Sequence, residues 1–194
     1  MFYKFCTTAC RIFLHIFFKY RVIGKENIPC EGAFILAPNH RSNFDPVMVG
    51  SAYGKKINFM AKSELFKFKP FGALLSKLGA FPIQRGKSDV GAIKGAFSIL
   101  KRGDVLLMFP QGRRYKDGSR GKLRTGVAVI AHKMQVPVVP VYIDSDYKFR
   151  HKAIIYFGKP IAFDQYYNQK LDDDLTQQLT EKVYDGIFMQ PQES

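Results

Sequence analysis

His40 is the side chain of this protein best suited to proton transfer near neutral pH. It stands in the stretch Asn39-His40-Arg41-Ser42-Asn43-Phe44-Asp45, directly after the apolar run Ala33-Phe34-Ile35-Leu36-Ala37-Pro38. An imidazole at the point where a strand runs out into a loop is a candidate general base. The carboxylate of Asp45 is close enough in sequence to reach its ring. Two other apolar runs end in cations: one closes on Arg85, and Val105 to Phe109 continues into Pro110-Gln111-Gly112-Arg113-Arg114. A guanidinium grips phosphate through a bidentate fork, and Gly112 lets the backbone turn closely around an anion. Taken alone, Arg113 and Arg114 read as solvated loop charge. With Arg85 and His40 at matching strand ends, the set reads as a site for an anionic substrate.

These residue types narrow the reaction. No protein nucleophile is in evidence, so His40 would take the proton of a substrate hydroxyl. That hydroxyl would attack a carbonyl already activated by its leaving group, such as a thioester. Gly86-Lys87-Ser88 imitates a phosphate-binding loop, but position 81 is Phe where that loop requires glycine. The chain has no Gly-x-Ser-x-Gly elbow and no Gly-x-Gly-x-x-Gly after a strand. The four histidines (His15, His40, His132, His151) are scattered, and the three cysteines (Cys6, Cys10, Cys30) have no zinc-site spacing. No metal site and no cofactor is expected, and the cysteines read as reduced thiols.

Composition adds a direction to the partners. Among 194 residues, 46% are hydrophobic and 24% charged, as in ordinary single globular domains. Thirty Lys and Arg against 16 Asp and Glu leave a net charge of +14. Such a field attracts acidic carrier proteins, phosphorylated metabolites, anionic lipid surfaces or nucleic acid, and it also serves plain solubility. No nucleic-acid recognition motif or aromatic stacking platform accompanies the charge, so no nucleic-acid partner is expected.

The elements that must position these residues follow from periodicity. Over residues 2–20, Phe2, Phe5, Cys6, Ala9, Ile12, Phe13, Ile16 and Phe17 recur at helical spacing. Lys4, Thr8, Arg11, His15 and Lys19 share the opposite stripe. Lys4, Arg11 and His15 spoil a membrane span, and no signal-peptide cleavage pattern follows. The expectation is a helix lying in a membrane interface, the competing reading being a core helix packed on the domain. We therefore expect residues 1–20 as an interfacial helix and 21–194 as the catalytic domain. Further on, strands are expected at 57–61, 80–85, 105–109, 136–143 and 153–157. Helices are expected after a Ser88 cap to Gly103, at 123–134 and at 172–189, with Pro70 kinking or splitting residues 63–78. Alternation of this kind implies an α/β fold with a mixed, largely parallel sheet flanked by helices. Ligands of such sheets gather at the carboxyl ends of the strands.

The motifs, in order, resemble those of the 1-acyl-glycerol-3-phosphate acyltransferases, the lysophosphatidate acyltransferase family. Its Asn-His with Asp five positions after the His stands here as Asn39-His40 and Asp45. A second element ends in arginine, here Gly79-Ala80-Phe81-Pro82-Ile83-Gln84-Arg85. A third, Phe-Pro-Glu-Gly-Thr-Arg in the family, is here Phe109-Pro110-Gln111-Gly112-Arg113-Arg114. A fourth is the apolar strand Val136-Pro137-Val138-Val139-Pro140-Val141, and Met60 to Phe66 also looks similar. The likeness covers roughly residues 20–160. It implies acyl transfer from acyl carrier protein or coenzyme A thioester to lysophosphatidate (1-acyl-glycerol-3-phosphate), giving phosphatidate, on the cytoplasmic face of an anionic membrane. His40 would be the base, Asp45 its orienting partner, and Arg85 and Arg114 the phosphate ligands with Gly112 shaping the loop. Gln111 and Arg113, counted with the substrate-binding set, replace the usual glutamate and threonine and make the stretch more positive. That opens the door to another lysolipid or amino-lipid acceptor, and to a non-catalytic basic lipid- or nucleic-acid-binding relative. A pure binding protein has no need of the intact His40/Asp45 pair.

Local rules offer Asp45 other work. Asp before Pro46 is a strong helix start, and Ser42 could cap instead with Asp45 as its capping-box partner. The resemblance favours the orienting role.

Overall fold

The computed structural model describes residues 2–83 and 90–189. The chain runs through α1 (Phe2–Phe17), β1 (Lys19–Ile23), β2 (Ile35–Pro38), α2 (Asp45–Tyr53), β3 (Asn58–Lys62), α3 (Lys69–Lys77) and β4 (Ala80–Ile83). It continues through α4 (Val90–Lys101), β5 (Leu106–Leu107), α5 (Gly126–Met134), β6 (Val138–Ser145), β7 (Lys152–Phe157) and α6 (Asp173–Phe188). One sheet holds the seven strands in the order β1-β7-β6-β2-β5-β3-β4. All neighbours are parallel except the β6–β7 pair. The expected α/β architecture holds.

The central strands β2 and β5 read as unbroken apolar runs because both faces of the sheet are covered there. Ile35 and Ala37 of β2 face a core shared with Ala96 and Ile99 of α4, Val127 and Ala131 of α5, and Leu179 and Val183 of α6. Leu36, between them, faces the other core with Met48, Val49 and Ala52 of α2 and Leu14 of α1. The α6 stripe Leu175, Leu179, Val183, Ile187 is wholly buried. Asp172 caps that helix, its side chain accepting from Leu175 N–H at 2.8 Å. Pro70 sits in the first turn of α3, where its missing N–H costs nothing, and a separate 3-10 turn, Ser63–Phe66, precedes it.

For the site, the consequence is placement. β2 lies between β6 and β5 and is parallel to both, with Ile35 opposite Val138 and Leu106. Residues following all three strands therefore emerge at one sheet edge. β4 points the same way but lies beyond β3, two strands from β5, rather than next to it. The expected Arg85 site and Ser88 cap fall outside the described residues. The strand expected at 105–109 is regular only over Leu106–Leu107, because the chain leaves the sheet early to turn toward His40.

At the N-terminus the helix stops at Phe17, and Lys19 starts a strand instead of continuing the cationic stripe. The expected division at residue 20 therefore falls inside β1, which pairs along its length with β7. One face of α1 packs on α2: Leu14 is fully buried, and Arg11 donates to the Ser51 carbonyl at 2.8 Å. The other face leaves Phe5, Ile12 and Ile16 more than half exposed. No helix among the described residues is long and apolar enough to cross a membrane. Replacing Leu14 by Ala should cost about 2–4 kcal/mol in urea unfolding, whereas Ile12→Ala should leave the transition within about 0.5 kcal/mol of the parent. Equal effects would mean that the two faces are not distinct.

Candidate active site at the β2 and β5 strand ends

Asn39 closes β2 in a way that fixes its successor. Pro38 ends the strand, and the Asn39 side chain extends the ladder by both accepting from Ile143 N–H (2.7 Å) and donating to Ile143 C=O (3.1 Å). His40 then has its peptide held by the loop after β5. Its N–H donates to Gln111 Oε1 at 2.6 Å, and its C=O accepts from Tyr115 N–H at 2.8 Å. The imidazole stacks on Phe109 with centroids 3.9 Å apart and planes 25° apart. Main chain and ring are thus both set by residues some 70 positions away.

Asp45, with no exposed surface, orients the ring. Its Oδ2 accepts from His40 Nδ1 at 2.7 Å, from Arg41 N–H at 2.7 Å and from Ser42 N–H at 2.9 Å. Its Oδ1 accepts from the Tyr147 hydroxyl. Burial, and then the charge of Asp45, push the Tyr147 phenol well above its ordinary range, so it keeps its proton and acts as the donor. A carboxylate surrounded by donors selects the His40 tautomer protonated at Nδ1, which leaves the lone pair on Nε2. Nε2 has no hydrogen-bond partner among the described residues.

The competing helix-start readings for Asp45 merge here. Phe44 is the N-cap of α2 and makes no side-chain cap bond, with Pro46 in the first turn. The bond from Ser42 N–H to Asp45 is the backward half of a capping box. The forward half is absent: Ser42 Oγ accepts from Phe44 N–H instead, at 3.2 Å. Capping and orienting are not alternatives, because both draw on donors that precede the helix.

The expected substrate-binding residues separate. Gln111 is buried, and its Nε2 donates to Ser119 C=O and Arg120 C=O, each at 3.0 Å. Its amide is spent inside the protein, tying His40 to the 115–121 loop. Gly112 makes the tight turn at φ +64°, a conformation that other residues rarely adopt. Arg113 turns aside to Tyr115, donating to its hydroxyl at 2.8 Å with the guanidinium 4.7 Å from the ring centroid. Arg114 opens into a cleft of about 370 Å³ shared with Arg41, Ser42, Lys116 and Tyr147. Asp146 also lines the cleft, paired with His151 at 2.8 Å.

Arg41, Lys116 and Tyr147 were missed by sequence reading. The first two sit beside the motifs, and their positions were the available signal. Tyr147 follows β6, whose parallel pairing with β2 delivers it to the same edge; nothing local marks it. The other histidines have structural partners, such as His132 Nε2 with Tyr166 C=O at 2.8 Å. No group of three or more His, Cys, Asp or Glu able to hold a metal occurs among the described residues.

Gln111 gives a direct check of the loop. Gln111→Glu keeps an acceptor for His40 N–H but sets a carboxylate against two carbonyl oxygens. A stability loss of about 1–3 kcal/mol is expected at pH 8. The charged form is the one disfavoured by folding, so the folded-state pKa of the new glutamate is raised. Its gap from the parent should narrow as pH falls and the carboxyl takes up a proton. Thermal unfolding at several pH values checks the sign, and a gap that widens on acidification would contradict it.

Known proteins resemble this chain in sequence and in fold. The sequence model of the family described as Acyltransferase matches residues 19–144. A Bacillus subtilis (strain 168) protein named 1-acyl-sn-glycerol-3-phosphate acyltransferase is 34% identical over 139 residues, 71% of this chain and 69% of that protein. A Streptococcus pneumoniae protein of the same name is 36% identical over 135 residues, covering 66% of this chain and half of that one. The crystal structure of PlsC from Thermotoga maritima, titled a 1-acyl-sn-glycerophosphate (LPA) acyltransferase, superposes with a TM-score of 0.76 at 25% identity. That superposition covers 99% of this chain and 81% of the other. The match over residues 19–144, on a fold shared over nearly the whole chain, means that the chain belongs to the acyltransferase family of enzymes.

Proposed function

We propose that the protein moves a fatty acyl chain from an acyl thioester, carried by acyl carrier protein or coenzyme A, to the free hydroxyl of 1-acyl-glycerol-3-phosphate. The product is phosphatidate. The observation that carries this reading is the buried Asp45–His40 pair, its Nε2 unpartnered among the described residues, beside a cleft lined by Arg41, Arg114 and Lys116. His40 Nε2 removes the proton of the acceptor hydroxyl as its oxygen attacks the thioester carbonyl. Asp45 stabilises the imidazolium that forms, and the proton then goes to the departing thiolate. No covalent enzyme intermediate and no cofactor is required.

Arg114, with Arg41 and Lys116, takes the acceptor phosphate; Arg85 is a further ligand on sequence grounds. Gln111 and Arg113 depart from the usual motif, but both are engaged by protein groups and neither lines the cleft. That supports a phosphate acceptor of the usual kind over an amino-lipid one. An apolar recess of about 90 Å³ between α1 and the start of α2, lined by Cys6, Cys10, Val47 and Phe59, suits apolar chain atoms. The exposed face of α1, with Phe5, Ile12 and Ile16, meets the membrane surface in this reading. The net charge of +14 suits anionic lipid and an acidic donor. Three free thiols fit the reducing cytoplasmic side.

Purified protein should release thiol from an acyl thioester only when lysophosphatidate is present. His40→Ala should lower that rate by at least about 100-fold, and full activity in this variant would sink the reading. Arg114→Ala should raise the acceptor KM roughly tenfold or more with little change in kcat, as loss of a charge-assisted contact predicts. The triple variant Phe5→Ser, Ile12→Ser, Ile16→Ser should stay folded but sediment less with anionic vesicles. Undiminished sedimentation would remove α1 as the docking element.

A further inference from the structure

We propose that Tyr147 is a positioning residue for the base: it holds the outer oxygen of Asp45 so that the inner one faces His40 Nδ1. The two carboxylate oxygens have divided roles. Oδ2 serves His40 together with the amides of Arg41 and Ser42, while Oδ1 takes the Tyr147 hydroxyl. Asp45 is completely buried. Without the phenol, one oxygen of a buried carboxylate loses a donor, and the torsion that aims the other loses a restraint.

The β6–β7 loop is built around this contact. Tyr147 has φ +60°, uncommon for a residue with a side chain. Its N–H donates to Ser145 Oγ at 3.0 Å, and Ser145 is itself fully buried. Asp146 accepts from Lys148 N–H at 3.0 Å and pairs with His151 at 2.8 Å. Arg150 N–H donates to Phe17 C=O at 2.7 Å, so the end of α1 braces the loop from outside. The ring packs against the core formed with α2. An unfavourable backbone conformation held by so many local bonds places one hydroxyl on one carboxylate.

The effect on His40 has a definite sign. A phenol donor draws negative charge off Asp45. Removing it makes the carboxylate more basic and favours the imidazolium over neutral His40. Among the described residues, the titratable and charged groups facing this pair are Asp45 itself, Tyr147 and Arg41, with Arg114, Lys116 and the His151-paired Asp146 in the cleft. None of the others is altered by Tyr147→Phe, which is nearly isosteric.

The test compares the parent protein with Tyr147→Phe by NMR titration of the His40 ring protons, and by turnover of acyl thioester with lysophosphatidate. The expected results are a His40 titration moved to higher pH, and kcat lowered roughly tenfold with both KM values within twofold. The acid limb of the rate profile should move in the same direction as the titration. In the Asp45→Asn background, Tyr147→Phe should add little, because the two act as a unit. An unmoved titration, or an equal loss in both backgrounds, overturns the proposal. Ser145→Ala should shift the titration the same way by less. The inference rests on His40 as the base, and the two can fail separately. A shifted titration in a protein that never turns over thioester upholds Tyr147 and refutes the reaction.

Discussion

The site depends on a carboxylate taken out of water. Asp45 is buried with no Lys or Arg side chain in direct contact among the described residues, and a bare carboxylate there would be costly. Four donors offset that cost: the His40 ring, two successive amides, and a phenol. The amides are available because residues 41–44 turn back before α2 starts. The ring is available because β2 ends one residue before the loop. Each donor fixes a different piece of chain relative to the same two oxygens. A group that would otherwise destabilise the fold therefore organises the strand end, the helix start and a distant loop around one point.

The sheet order explains why the proposed substrate site lies at that same point. β2, β5 and β6 are adjacent and parallel, so three loops leave the same edge. One brings His40, one brings Gln111 and Arg114, and one brings Tyr147. Gln111 joins the first two loops with bonds at both ends of its amide. A glutamate could accept from His40 N–H equally well but could not donate to Ser119 and Arg120. Gln111 is thus matched to a 115–121 loop that turns its carbonyls inward.

Much of this was legible in the residues. The α/β class, the strand ending at Asn39-His40 and the 172–189 helix follow from apolar runs, caps and 3.6-residue spacing. The His40–Asp45 pairing was reachable because the four intervening residues let a carboxylate fold back on a ring. Three things were not legible. Lys19 continues the polar stripe of α1, and only pairing with β7 makes it a strand residue. Gln111 and Arg113 looked like a paired change at a substrate site, but their roles depend on where the 115–121 loop and Tyr115 lie. Tyr147 stands 102 positions from Asp45, and sheet order alone brings them together. Local rules describe what a segment prefers; these three depend on which segments become neighbours.

The junction of α1 and β1 carries a mechanical consequence. A single residue, Phe18, separates the helix from the edge strand, and Leu14 anchors the helix on the domain. The helix cannot swing independently of the sheet. Any flat surface that receives Phe5, Ile12 and Ile16 thereby fixes the inclination of the strands and the height of the Arg114 cleft above it. If that surface is a membrane, as proposed, α1 acts as a gauge of distance and tilt, and the packing of α1 on the domain sets the depth from which a lipid rises to His40.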